Sequence, residues 1–165
     1  LCAVRQLRPP PLRGALKSSD EPNSPSDQWT VYVDGAARGN PGAAAAGICV
    51  LNPEGRHVRL IGRLLGRLPN NQAEYRALLL ALEAVTPYAP PALRVRMDSE
   101  LVVRQMTGQY RVKDAALQLL HGRVQQAIRS LGVVQFEHVP RSQNAEADRL
   151  ANLALDGKPF DETLG

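Results

Sequence analysis

Two absences narrow the class of protein: cysteine is scarce and no long apolar segment exists. The 165 residues include two cysteines, Cys2 and Cys49, which lie in unlike contexts, a terminus and a predicted strand. Such a pair gives no disulfide framework, so we expect reduced thiols, a reducing compartment and a cytoplasmic location. Because no run of about 18 apolar residues is present, the sequence predicts no membrane-spanning helix and no membrane partner.

The charge of the chain is only mildly biased. The formal net charge is +4, with 44% hydrophobic and 22% charged residues. A mildly basic chain is compatible with a polyanionic partner and equally with an ordinary basic surface. The length and composition predict one globular domain with enough chain to bury a sizeable core.

The first 28 residues differ from the rest. They contain Pro9, Pro10, Pro11, Pro22 and Pro25 and show no hydrophobic periodicity. This composition predicts a disordered tail over 1–28, and three consecutive prolines argue against a transit-peptide helix. We expect the folded domain to span 29–157, with a C-terminal tail at 158–165.

Hydrophobic periodicity beyond the tail predicts strands and helices in the order βββαβααβα. The predicted strands are 29–36, 43–51, 57–65, 93–97 and 133–139, and the predicted helices are 71–85, 100–106, 114–131 and 143–155. Short turns connect the first three strands, which favours an antiparallel meander. Later crossover helices favour parallel strands. We therefore predict an α/β fold with a five-stranded mixed sheet, three antiparallel strands then two parallel, flanked by helices.

Asp34 and Asp98 each follow an apolar strand. If these strands are parallel neighbours, both carboxylates lie at one edge of the sheet, where open α/β sheets place their sites. Each residue also has a local explanation. Asp34 could begin an Asx turn, and Asp98 could share the capping of the next helix with Ser99.

Two further acids lie on predicted helices. Glu74 shares a helical stripe with Leu78 and Leu82, where a carboxylate is costly unless a partner or a metal compensates it. Its alternative is a capping box with Asn71 as the N-cap. Asp148 lies at the edge of the apolar stripe of the last helix, and taken alone it is typical of a surface acid.

Four sequence blocks together resemble the type 1 ribonuclease H family. They are VDGAARGNPG, NNQAEYRALLLAL, MDSELVVRQM and VPRSQNAEADRLANLAL, in the family's order and approximate spacing, between residues 29 and 155. The resemblance implies a ribonuclease H-like fold. It also implies an endonuclease that hydrolyses the RNA strand of RNA–DNA hybrids and leaves 5′-phosphate and 3′-hydroxyl ends.

By the same resemblance, Asp34, Glu74, Asp98 and Asp148 are the catalytic carboxylates, which hold two Mg²⁺ ions or Mn²⁺ as a substitute. Magnesium prefers oxygen ligands, and paired ions can activate water and neutralise a leaving oxygen. Clustered carboxylates without cations would repel one another. We expect Asp34 to bridge both ions, Glu74 and Asp98 to serve the leaving-group ion, and Asp148 to serve the ion that activates water.

The resemblance also implies contacts with the hybrid, which is recognised by shape, phosphates and 2′-hydroxyls. The expected substrate-binding residues are Gly35, Ala36, Asn40, Asn70, Asn71, Ser99 and Arg141, the last also as an auxiliary cation. We interpret the absent side chains of Gly35, Gly39 and Gly42 as leaving room for the nucleic-acid backbone. The alternatives are a turn role for Asn40 and a helix-cap role for Asn70 and Asn71.

The chain departs from many family members in two places. The segment TGQYRVKDAAL is too short for the family's basic protrusion, although Tyr110, Arg111 and Lys113 remain as a candidate contact. The loop RSQN before Asp148 is short and lacks a histidine. His138 alternates with Val134 and Phe136, which predicts a packed strand position instead of a catalytic one.

Two other functions stay open. A nuclease of the same fold, of resolvase or integrase type, would keep the acids and act on DNA. A non-catalytic hybrid-binding module would gain nothing from anions that face a polyanion. We expect a monomer with no obligate protein partner.

Overall fold

A mixed sheet of six strands, in the order β5-β4-β1-β2-β3-β6, organises residues 27–164, the part of the chain that the computed structural model describes. The strands are β1 (Gln28–Gly39), β2 (Gly42–Leu51), β3 (His57–Leu68), β4 (Ala92–Met97), β5 (Val133–His138) and β6 (Phe160–Thr163). The helices are α1 (Asn70–Val85), α2 (Glu100–Met106), α3 (Ala115–Arg129) and α4 (Ala145–Leu155). Short 3-10 turns cover Thr86–Tyr88 and Arg141–Asn144. Nearly all of the tail expected at 1–28 lies outside the described residues.

Strand pairing follows the predicted mixed pattern. β1, β2 and β3 pair antiparallel, while β4 pairs parallel to β1 and β5 pairs parallel to β4. Parallel neighbours need long crossovers, and helices supply them here. The predicted α/β fold, with three antiparallel strands followed by two parallel ones, is therefore confirmed.

The sixth strand was not predicted. β6 pairs antiparallel with β3 and lies inside the segment 158–165 that we expected to be a tail. Asp161 on β6 accepts hydrogen bonds from Arg59 at 3.2 and 3.1 Å and from Arg63 at 3.1 Å. Because its four residues are exposed and partly charged, β6 carries no apolar alternation, and the sequence pattern gives no signal for it.

The helices cover both faces of the sheet. On one face, α1 packs its buried stripe, which includes Leu78 and Leu82, against Val31 and Val33 of β1. On the other face, α4 packs Leu150 against β2 and β3. No helix between residues 27 and 164 is long and apolar enough to cross a bilayer.

Helix α4 approaches the sheet at two glycines. A Cβ atom added at Gly47 would lie 1.7 Å from the carbonyl oxygen of Ala147, and one at Gly62 would lie 2.4 Å from that of Leu150. Both distances are far below van der Waals contact. The helix backbone therefore occupies the space that side chains on β2 and β3 would take.

We expect Gly47→Ala to lower the free energy of unfolding by about 1–3 kcal/mol, because the added methyl group must displace α4. Denaturant unfolding followed by circular dichroism measures this change. Gly122→Ala is the matched control. Gly122 lies in α3 with nothing within 4 Å of the added atom, so its replacement should raise stability by up to about 1 kcal/mol. Equal effects of the two variants would contradict the packing argument.

Candidate active site

Asp34 and Asp98 lie next to each other at the end of the parallel pairing between β1 and β4. The last paired residues are Val33 and Met97, and each acid follows its strand's last paired residue. We predicted that β1 ends at Ala36. It continues to Gly39, as the outer part of the hairpin with β2. The two carboxylates therefore share one edge of the sheet, as expected from parallel neighbours.

Glu74 reaches this edge because α1 lies directly on Gly35. A Cβ atom at Gly35 would lie 2.4 Å from the carbonyl oxygen of Ala73 and 2.6 Å from the Cα atom of Glu74. This contact corrects our interpretation of Gly35, since the absent side chain accommodates the protein's own helix. The protein's own backbone likewise accounts for Gly39 and Gly42. Gly39 has a φ of +105°, and a Cβ at Gly42 would lie 2.0 Å from the Arg38 carbonyl oxygen.

The Glu74 side chain is held by Ser99. The Ser99 hydroxyl donates to Oε1 of Glu74 at 2.9 Å and accepts the Val102 N–H at 3.3 Å as the N-cap of α2. Burial raises the pKa of Glu74 to about 7, although this hydrogen bond stabilises the charged form. The capping-box alternative is excluded, because α1 begins at Asn70 and its N-cap residue is Pro69, which forms no side-chain cap hydrogen bond.

Asp148 arrives from the opposite face on α4. Nδ2 of Asn152 donates to Oδ1 of Asp148 at 3.3 Å, and Nη2 of Arg141 lies 3.8 Å from the same oxygen. The Arg141 side chain is 82% exposed, so this ion pair is weak. The side-chain neighbours of Asp148 are thus an exposed surface cation and a neutral amide.

Asp34 is the most enclosed of the four acids. It is 7% exposed, and its Oδ2 atom is buried without a hydrogen-bond partner among residues 27–164. Burial, followed by repulsion from Asp98 and Asp148, raises the pKa of Asp34 to about 7. Burial also raises the pKa of Asp98, against the lowering effect of Arg141. The four acids therefore interact electrostatically as one group.

Asp34, Glu74 and Asp98 open into a cavity of about 510 Å³, whose lining does not include Asp148. Its lining includes Asp34, Gly35, Ala36, Asn70, Glu74, Asp98, His138 and Arg141. His138 ends β5 and is exposed to this cavity, so our interpretation of it as a packed position is wrong. Val134 and Phe136 are partly buried as the alternation predicts, whereas His138 at the end of the strand is exposed.

Comparison with known proteins places this arrangement in a family. The reverse transcriptase-like family model matches residues 32–154. Ribonuclease HI of Halobacterium salinarum is 42% identical over 125 residues, which is 76% of this chain. The crystal structure of RNase H1 from that organism has a TM-score of 0.76 at 41% identity and covers 79% of this chain and 98% of the solved one. The chain belongs to the type 1 ribonuclease H family.

Other members of the ribonuclease H family show the same likeness. The structure of LC11-RNase H1 in complex with an RNA/DNA hybrid has a TM-score of 0.75 at 37% identity and covers 78% of this chain and 97% of that one. The bifunctional protein Rv2228c of Mycobacterium tuberculosis is 39% identical over 127 residues, 76% of this chain. The chain spans 63% of the length of the halobacterial relative and 35% of Rv2228c, so each match covers part of a longer protein.

The connection between α2 and α3 is short in this chain. Residues 107–114 contain no helix, as we predicted from the missing basic protrusion. Tyr110 is 47% exposed, and the Arg104 guanidinium lies 5.4 Å from the centre of its ring. An aromatic–cation pair therefore stands where many family members carry a basic loop.

The predicted substrate contacts divide into three groups. Gly35, Ala36, Asn70 and Arg141 line the cavity, whereas Asn40 and Asn71 are exposed outside its lining. The Asn40 side chain accepts the Asn70 N–H at 3.0 Å, so it caps α1 from the neighbouring hairpin. Ser99 is buried with its hydroxyl engaged by Glu74 and α2, and it does not line the cavity.

The donor chemistry of the site fits a divalent metal, although its geometry is not that of a finished metal site. Carboxylate oxygens are the ligands that Mg²⁺ prefers, and the partnerless Oδ2 of Asp34 is such an oxygen. No three acidic, histidine or cysteine side chains within residues 27–164 converge at ligating distances. The fit to a divalent metal therefore lies in the chemistry of the oxygen donors.

One residue of the site was missed by the sequence reasoning. Asn144 is 1% exposed, and its Nδ2 donates to the Val33 carbonyl oxygen at 2.9 Å. Its position in the RSQN loop, one turn before Asp148, was the available signal. We had interpreted that loop only through its missing histidine.

We expect the stability of the metal-free protein to fall as pH rises from about 4 to about 8. Asp34 and Glu74 have pKa values raised to about 7 from reference values of 3.8 and 4.5. Below pH 4 they are neutral in both folded and unfolded chains, so burial carries no penalty. As pH rises through 7 the folded protein must hold both charges, and stability is lost.

Thermal unfolding in a chelator across this pH range measures the effect. Asp34→Asn should reduce the slope and raise stability at pH 8 by more than about 1 kcal/mol, the equivalent of one pKa unit. Asp114→Asn, which keeps the N-cap of α3, serves as the control and should leave the slope unchanged. A wild-type profile that rises with pH would contradict the buried, repelling site.

Proposed function

We propose that this chain is a ribonuclease H that hydrolyses the RNA strand of RNA–DNA hybrids and leaves 5′-phosphate and 3′-hydroxyl ends. The observation that supports this proposal is the meeting of two strand ends and helix α1 at one cavity, each contributing a carboxylate. Asp148 on α4 adds a fourth carboxylate, which repels Asp34 and helps to raise its pKa. A buried anionic group of this kind is costly. Such a group is expected where its charge has a function. Holding divalent cations for the hydrolysis of a phosphodiester is such a function.

The catalytic carboxylates in this proposal are Asp34, Glu74, Asp98 and Asp148, which would hold two Mg²⁺ ions or Mn²⁺ in their place. Two such ions supply positive charge that activates the attacking water and stabilises the leaving 3′ oxygen. Asp34 interacts with all three other acids, which suits a bridging role. Glu74 and Asp98 would serve the leaving-group side, and Asp148 the side of the attacking water.

The substrate proposal rests on the cavity lining and on the family. LC11-RNase H1 is a relative solved with an RNA/DNA hybrid, and the shape of a hybrid suits recognition through 2′-hydroxyls and phosphates. Backbone groups of Gly35 and Ala36, together with Asn70, line the cavity beside the acids. Asn40 and Asn71 are exposed outside this lining, and Arg141, which lines the cavity, would contact a phosphate. A monomeric state and a cytoplasmic location stay predictions.

We expect the protein to cut a labelled RNA–DNA hybrid in Mg²⁺ or Mn²⁺ and to leave DNA and RNA duplexes intact. Asp98→Asn should lower kcat by roughly 10²–10³-fold, because one charge at the reacting centre is lost. Product end-groups identified by electrophoresis and phosphatase treatment test the assigned cleavage position. Asp114→Asn is the matched substitution outside the site and should cleave like the wild type.

Each other outcome of this assay identifies a different function. Cleavage of the DNA duplex would favour a nuclease of the same fold that acts on DNA. Retention of the hybrid in a mobility-shift assay without cleavage would favour a binding module. Full activity of Asp98→Asn would remove Asp98 from the catalytic set.

Glu74 provides an independent test. Glu74→Gln keeps the size of the side chain and can still accept the Ser99 hydrogen bond through its amide oxygen, but it removes the negative charge. We expect a loss of activity similar to that of Asp98→Asn without a loss of stability, because the variant removes a buried charge whose burial is costly above pH 7. Glu83→Gln, on the exposed side of the same helix, should retain full activity. Activity that survives Glu74→Gln would show that Glu74 has only a structural role.

A further inference from the structure

Asn144 is a buried carboxamide at the junction of the acid-bearing elements. It ends the turn Arg141–Asn144 and is the residue before α4, yet its side chain forms no cap hydrogen bond with that helix. Instead Nδ2 donates to the carbonyl oxygen of Val33, a residue 111 positions away. A buried amide in this position is therefore committed to β1 and not to its own helix.

Asn144 is connected to three of the four acids through its side chain or its backbone. The Val33 carbonyl group belongs to the peptide that leads directly into Asp34. Asp98 follows Met97, which is the register partner of Val33 in the parallel pairing of β1 with β4. The Asn144 side chain also acts to lower the pKa of Asp98, as a minor contribution against burial. Asp148 lies four residues after Asn144, one turn along α4.

We propose that Asn144 is a positioning residue whose carboxamide fixes the ends of β1 and β4 against the start of α4, and so sets the spacing of Asp34, Asp98 and Asp148. The inference rests on the proposed function, because this spacing matters through the metal ions that these acids would hold. Nothing in it requires Asn144 to touch substrate or metal.

The cost of burying this side chain supports a role beyond packing. The Oδ1 atom of Asn144 is buried without a hydrogen-bond partner among residues 27–164. An unsatisfied buried polar atom costs about 1–3 kcal/mol. An apolar side chain of similar size would avoid that cost if the position served packing alone. The two N–H donors of the amide are what an apolar residue could not supply.

Neutrality is the second property that the position needs. A lysine or arginine here would place a cation among the acids and compete with divalent ions. An aspartate would add another negative charge to a group that already repels itself. The amide orients its neighbours without altering the net charge that is available to hold metal. Outer partners of metal-ligating carboxylates typically act in this way.

The test measures metal affinity separately from activity. Asn144→Ala and Asn144→Leu both remove the donors, and the leucine variant retains side-chain size. Binding of Mn²⁺ to the protein alone, measured from the electron paramagnetic resonance signal of the free ion, should weaken about 10- to 100-fold in both. On hybrid cleavage, kcat should fall at saturating metal while KM for the hybrid stays within about threefold of the wild-type value, because substrate contacts are unchanged.

Asn52→Ala is the matched control. Its Oδ1 accepts the N–H groups of Glu54 and Arg56 at 3.1 and 2.9 Å in the β2–β3 turn, away from the acids. This variant should lose stability as an asparagine with a structural role does, yet retain wild-type Mn²⁺ affinity and kcat. It therefore shows how much a loss of stability alone changes the Mn²⁺ affinity and kcat.

The outcomes separate the inference from the proposed function. Wild-type Mn²⁺ affinity in folded Asn144 variants would overturn the positioning role even if the protein cleaves hybrids. Failure of both Asn144 variants to fold would also overturn it, because the residue would then serve the fold. If the wild-type protein cleaves no hybrid but the variants bind Mn²⁺ more weakly, the positioning role stands and the proposed function fails.

Discussion

Parallel pairing of β1 with β4 forces Asp34 and Asp98 into neighbouring positions. Pairing ends at Val33 and Met97, so the carboxylate that follows each of them lies at the same edge of the sheet. Adjacent carboxylates repel, and burial of Asp34 removes the water that would otherwise screen them. The rest of the site is best understood as the means by which the fold tolerates this arrangement without neutralising it.

The contacts around the acids orient them and leave their charge in place. Ser99 donates to Glu74, Asn152 donates to Asp148, and Asn144 donates to the Val33 carbonyl oxygen next to Asp34. All three are neutral donors. Within residues 27–164 the one ion pair of these acids joins Asp148 to the exposed Arg141 at 3.8 Å. A buried protein cation would stabilise the fold more, but it would occupy the position that a divalent ion needs.

The sequence revealed those parts of the site that depend on local pattern. An acid at the end of an apolar strand, or on the apolar stripe of a helix, is visible within a few residues, and four such acids in family order identified the family. The role of Asn144 was not visible, because its partner Val33 is 111 residues away. The purpose of Gly35 was missed for the same reason, since it depends on how closely α1 packs. β6 was not predicted, because charge pairing and an open strand edge, not apolar alternation, hold it in place.

The close helix contacts connect the stability of the fold to the geometry of the site. The two acids that come from helices lie at the points where those helices meet glycine: Glu74 against Gly35, and Asp148 one residue after Ala147, whose carbonyl group lies over Gly47. Gly47 is also the cross-strand partner of Asp34. Any side chain at either glycine would lift its helix and carry a carboxylate away with it. A displacement of about 1 Å in a reacting group can cost 10²-fold in rate, so the absence of two side chains sets the precision of the site as directly as the presence of the four acids.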